Sequence, residues 1–154
     1  MTTLSPDPGI AATAIRITLP LPPSKNALHV PAIHHEKGTP RTFSTTEARA
    51  WYQQVVGTRN RMGELTAQVL AHKTEWAWAY APWAQLNVSY VVYKPRWNHS
   101  DCHNHEEALF DALEKSGLIN NDCAIYKHSG ERGEWTGGEP RVEVTLTPIE
   151  GGTR

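Results

Sequence analysis

Asp101-Cys-His-Asn104, then Phe110-Asp-Ala-Leu-Glu-Lys-Ser-Gly117, then Asn121-Asp122 is the stretch whose reading decides the fold. It lays out a loop bearing an acid, a helix, a glycine stop and a second acid just past the stop. Leu109, Ala112 and Leu113 recur at helical spacing, which predicts a helix over 104–115 closed by Gly117. A helix of about eleven residues is roughly 16 Å long. The extended segment from Gly117 to Asp122 returns about the same distance. The layout therefore allows Asp122 to come back beside Asp101. Two carboxylates held together at one helix end can grip a hard divalent cation.

Upstream, residues 84–93 alternate, with Leu86, Val88, Tyr90 and Val92 on one side and Gln85, Asn87 and Ser89 on the other, which predicts a strand. The strand leaves into Lys94-Pro-Arg-Trp-Asn-His99, a basic loop directly before the acid. Downstream, residues 122–128 and 141–147 read as two strands joined by the glycine-rich turn over 130–138. Nearer the start, residues 14–19 alternate around Ile15, Ile17 and Leu19 as a strand. They run into Pro20-Leu-Pro-Pro-Ser-Lys-Asn26, where the prolines forbid helix and pre-set an extended loop. Ser24 and Asn26 are expected to fix that loop by side-chain hydrogen bonds.

Residues 29–40 lack periodicity and read as an irregular loop or a loose hairpin, followed by a short strand over 41–44. Ser44 or Thr45 then caps a helix that reaches about residue 70, bent or broken near Gly57 and Gly63. The aromatic stretch 76–83 reads as a packed connector. This order of elements predicts an α+β fold: a single domain with a mixed β-sheet and two main helices.

A chain of 154 residues suits one domain, over 14–149, with loose tails at 1–13 and 150–154. The 39% hydrophobic content and six tryptophans exclude a disordered chain. A net charge of -1 excludes a protein that coats nucleic acid through a global basic field, so any DNA contact needs a local patch. Cys102 and Cys123 make no disulfide framework. No signal peptide or long apolar run is present, and a cytoplasmic location without a membrane partner is the expectation.

Several residues together carry a resemblance. They are Leu19-Pro-Leu-Pro-Pro-Ser-Lys-Asn26, Asp101-x-x-Asn104, the Phe110-Asp-Ala-Leu-x-Lys-x-Gly117 helix end, Asp122, and the closing Val142-Glu-Val-Thr-Leu-Thr147. In this order they resemble the RusA family of Holliday junction resolvases. The resemblance implies a homodimeric, magnesium-dependent endonuclease, common in phages and prophages, that resolves four-way DNA junctions by paired nicks. It places the first acid on Asp101 and the last on Asp122.

Two positions depart far from the family's pattern, and Asn121 also replaces the first member of its paired acids before Asp122. His103 stands where a second acid belongs, and Glu107 stands where a lysine belongs. His103 and Glu107 are four apart and would share a helix face if the helix began early. Asp101, His103 and Asp122 are then the expected metal ligands, with Asp101, Glu107 and Asp122 as the catalytic set. The imidazole would shift preference from Mg2+ toward Mn2+ or zinc. The alternative reading is a junction-binding protein that has lost cutting.

Lys25, Arg41, Lys94 and Arg96 are the expected DNA contacts, Lys94 and Arg96 by their position just before Asp101. Trp97 reads either as a base-stacking residue or as packing. His99, Cys102, His103, His105 and Cys123 form a zinc-like set, but their spacing matches no standard finger. The literal triplet His103-Asn104-His105 carries no weight.

Overall fold

The computed structural model describes residues 14–25, 29–34, 39–44, 46–97 and 101–149, and of 29–34 and 39–44 the backbone alone. The core sheet contains β1 (Ile15–Pro20), β6 (Leu86–Tyr93), β7 (Ile125–Arg132) and β8 (Arg141–Pro148). Their spatial order is β1-β8-β6-β7. β8 pairs antiparallel with both β1 and β6, while β7 pairs parallel with β6. A parallel neighbour needs a crossover, and the segment from 94 to 124 supplies it. The sheet is mixed, as the sequence predicts.

Alternation decides which face of the sheet is buried. Leu86, Val88, Tyr90 and Val92 of β6 are each at most 1% exposed, and Ile15, Ile17 and Leu19 of β1 and Val142, Val144 and Leu146 of β8 join them. Helices α1 (Thr46–Val55) and α4 (Glu106–Lys115) bring Ala48, Trp51, Val55, Ala108, Leu109, Ala112 and Leu113 into the same core. Burying each large apolar side chain contributes about 1.5–3 kcal/mol, so this one-sided layer of helix on sheet is the main source of stability.

α4 carries Glu106 and Glu107 in its first turn and Lys115 in its last, the charge order a helix dipole favours. It stops where Gly117 takes a φ of 85°, a left-handed conformation that lets the Leu118 and Ile119 amides reach back to the Leu113 carbonyl.

Three expectations gain detail. Of the irregular loop or loose hairpin expected over 29–40, the structure shows paired strands: β2 (His29–His34) runs antiparallel to β3 (Thr39–Ser44), which takes in the short strand expected over 41–44. The helix after residue 45 is broken near Gly57 and Gly63, one of the two outcomes expected there, into α1 and α2 (Glu64–Ala71). Between them lies a miniature hairpin of β4 (Gly57–Thr58) and β5 (Arg61–Met62), because Gly57 at φ 112° turns the chain out of the helix. The aromatic connector holds a short helix, α3 (Ala77–Tyr80). No helix among the described residues is long and apolar enough to cross a membrane.

Candidate metal centre

Asp101 starts the site. Its carboxylate accepts the His103 backbone N–H at 3.0 Å and caps a 3-10 turn, Cys102–His105, that leads into α4. A 3-10 turn repeats every three residues, so side chains three apart stand over one another. His103 therefore meets Glu106, with His103 Nδ1 at 2.7 Å from Glu106 Oε2. Glu107, expected from an α-helical spacing, faces another way. Its charge acts with that of Asp111 on Tyr52 of α1, and burial together with these two acids pushes the Tyr52 phenol above its usual range.

The third member comes from the sheet edge. His128 of β7 pairs with Val88 and so points to the same face as Tyr90, and its Nδ1 lies 2.9 Å from Glu106 Oε2. Tyr90 donates its hydroxyl to that same oxygen at 2.5 Å and also lies 3.1 Å from His103 Nδ1. The phenol ring reaches this far because Gly130 lies beside it on β7. A Cβ at Gly130 would come within 2.5 Å of the Tyr90 ring, closer than any side chain permits. Phe110 packs edge-on against both Tyr90 and His128 and forms the apolar wall behind the cluster.

The electrostatics are consistent with this arrangement. Burial pushes the Glu106 carboxyl up, but the bonds it receives from Tyr90, His103 and His128 outweigh burial and hold it below the usual carboxylate range. Burial, reinforced by the Glu106 carboxylate, pushes the Tyr90 phenol far above its usual range, so it remains a donor. His103, Glu106 and His128 offer ligand atoms that all lie within 4.8 Å of one another. Among the described residues no other such group of imidazole, thiol or carboxylate side chains occurs.

Asp122 does not join it. Its backbone N–H lies 3.3 Å from Glu114 Oε1, at the far end of α4, whereas His128 meets Glu106 at the helix start. Eight residues of helix separate Glu106 from Glu114, about 12 Å. Leu118 and Ile119 are 1% and 0% exposed, so the connection that was expected to run back is pinned into the core. β7 makes the return instead and delivers His128. Asp101 stands at the near end, but its carboxylate serves the turn. The zinc-like set is not assembled either: His105 and both cysteines stay outside the cluster, and His99 lies outside the described residues.

A second constellation adjoins the first. His105 is 4% exposed and donates its Nδ1 proton to the Pro22 carbonyl at 2.7 Å, leaving Nε2 to accept from Lys94 Nζ at 3.0 Å. The proline loop is thereby tied to the turn, by main-chain carbonyls instead of by Ser24. Trp51 Nε1 donates to the Pro20 carbonyl at 3.0 Å in the same manner. Asn26 lies outside the described residues.

Burial, followed by the Lys94 charge, pushes His105 below the usual imidazole range. Lys94 and Arg132 stand over the Trp97 ring at 4.4 and 4.5 Å, so this indole packs under two cations instead of presenting a bare face. Arg96 and Lys25 are exposed, and Arg41 lies on β3. Glu106, His128, Tyr90 and Arg132 are the residues sequence reasoning missed. The acid cap at Asp101 was the available signal, since a capped 3-10 start shifts the facing residue from Glu107 to Glu106.

An apolar groove of about 500 Å³ between α2, α3 and the Gly117 turn holds no acid or imidazole and is a different feature.

Residues 20–147 match the family described as Endodeoxyribonuclease RusA. Curated proteins yield no match. Because the match spans most of the 154 residues and includes β6, β7, nearly all of β8, α4 and the cluster, the chain belongs to the RusA family of endodeoxyribonucleases, which act on Holliday junctions.

Proposed function

We propose that the protein is a divalent-metal-dependent endonuclease that resolves Holliday junctions or other branched DNA by paired nicks as a homodimer, in a bacterial or phage setting. The observation that carries this reading is the convergence of His103, Glu106 and His128 at the start of α4, inside the region matched to the family, with Lys94 tied to His105 of the same turn. A cation held there supplies Lewis-acid polarisation of a phosphodiester oxygen.

The chain's own groups do the rest. Glu106 stays ionised, and its Oε2 is held in the cluster by the Tyr90 hydroxyl. Lys94 and Arg132, fixed against Trp97, offer positive charge to a phosphate that approaches the turn. Lys25, Arg41 and Arg96 extend the contact along the backbone of the DNA. Asp101 orients His103 through its main chain and is a positioning residue in this scheme. Two-fold pairing of chains suits a four-way junction, which offers two equivalent strands.

A second reading, junction binding without cutting, draws support from the cluster's single carboxylate and from the place of Asp122 at the other end of α4. The test is incubation of a synthetic four-way junction with the protein and Mg2+, Mn2+ or Zn2+ in turn. Symmetric nick pairs in the junction, with linear duplex uncut, are expected. Tight junction binding with no product under any ion would replace the first reading with the second.

A further inference from the structure

We propose that His103, Glu106 and His128 form a three-ligand centre for a borderline transition ion, Zn2+ or its Co2+ analogue, and that Mg2+ is a poor occupant. The inference deepens the nuclease reading by naming the ion class of the same site. It stands on ligand chemistry that can be measured without DNA.

Three donors, Tyr90 Oη, His103 Nδ1 and His128 Nδ1, converge on one oxygen, Glu106 Oε2, at 2.5, 2.7 and 2.9 Å. A carboxylate oxygen offers about two lone-pair positions, so the third approach is crowded. Such crowding is what a ligand set looks like when its atoms close on the space a cation would fill. A tetrahedral ion with bonds of about 2.1 Å needs ligand atoms about 3.4 Å apart, so each imidazole nitrogen would retreat by roughly 0.5–0.7 Å. Side chains that are 53% and 44% exposed, as those of His103 and His128 are, have room for that movement.

The donor types select the ion. Magnesium demands near-octahedral oxygen coordination, and this site supplies a single carboxylate. Two imidazoles and one carboxylate suit zinc and its neighbours, whose affinities for such sites lie well above magnesium's. The set is also incomplete in the useful sense. Phe110 and Tyr90 close one side, the two exposed imidazoles open the other, and a fourth position faces solvent. Tyr90 donates to the same carboxylate oxygen, and hydrogen bonds of this kind orient ligands in metal sites.

Calorimetric titration of chelator-treated protein with Zn2+ and, separately, with Mg2+ tests this, alongside visible absorption on Co2+ addition. One zinc per chain is expected, at least ~100-fold tighter than magnesium, with the ligand-field bands of tetrahedral cobalt. His128→Ala and Glu106→Gln should each weaken zinc by at least ~10-fold, while Cys123→Ser leaves it unchanged. Because His128 lies exposed on an edge strand, its variant should keep the parent's circular dichroism, and Glu106→Gln supplies an independent check. Zinc affinity unaltered in both variants, or magnesium within tenfold of zinc, overturns the proposal. Zinc binding that depends on His128 but accompanies no junction cleavage would sink the nuclease reading alone. Magnesium-driven cleavage insensitive to His128→Ala would sink this inference alone.

Discussion

At the scale of single residues, His105 shows how one side chain can join two parts of the chain. Its Nδ1 holds the proline loop at Pro22, and its Nε2 accepts from Lys94, so both nitrogens are committed to the neutral ring. Burial and the Lys94 charge lower its affinity for protons, against the opposing pulls of the Pro22 bond and Asp101. The unfolded chain therefore binds the extra proton first. Stability conferred by the neutral ring is present above about pH 6.5 and is lost as pH falls from there toward the depressed folded value. Urea midpoints between pH 7.5 and 5 should fall for the parent and fall less steeply for His105→Gln; parallel curves would refute this role. Gly130→Ala should push the Tyr90 ring off β7 and cost about 1–3 kcal/mol, as overpacking does. Denaturation of that variant, with tyrosine fluorescence as a second signal, measures the cost.

Elements set the spacing that the chemistry depends on. The 3-10 turn over Cys102–His105 converts an expected four-residue pairing into a three-residue one, and its cap is the Asp101 carboxylate. Asp101→Ala should remove the cap at a cost of about 1 kcal/mol and let His103 swing. Zinc affinity should then fall several-fold while Glu106 and His128 remain in place. An unchanged zinc affinity in Asp101→Ala would show that the turn holds His103 without its cap. The opposite end of α4 is governed by Gly117 and by buried Leu118 and Ile119. That anchoring, more than chain length, keeps Asp122 away from the helix start.

For the whole molecule, the sheet is the frame, with β8 and β6 its inner strands, each paired on both sides. Leu146 is fully buried there, and Leu146→Ala should cost about 2–5 kcal/mol, seen as a lower urea midpoint with little change in slope. The proposed DNA contact belongs to this scale too, because a net charge of -1 offers no global attraction and leaves the task to local basic groups. Arg96→Ala should weaken junction binding about equally for all sequences and reduce the salt slope by roughly one, read from binding isotherms at several salt concentrations. An unaltered slope would place Arg96 outside the DNA path.

Local pattern was enough for much of this protein. Alternation in Ile15–Pro20 and Leu86–Tyr93 identified strands and their buried faces, because a side chain every second residue is a property of the strand alone. The apolar face of α4 and its stop at Gly117 were equally legible, and the ordered motifs pointed to the family that the match over residues 20–147 then showed. The candidate site was legible only in its nearest part, Asp101 and His103. Glu106 depended on a turn type that spacing cannot distinguish from an α-helix. Tyr90 and His128 reach the site from neighbouring strands, and no local signal in a sequence carries the register of a parallel pair. Tertiary structure alone decided that β7, and not the residues just past the helix, returns to the start of α4, since burial of Leu118 and Ile119 holds the connection at the other end.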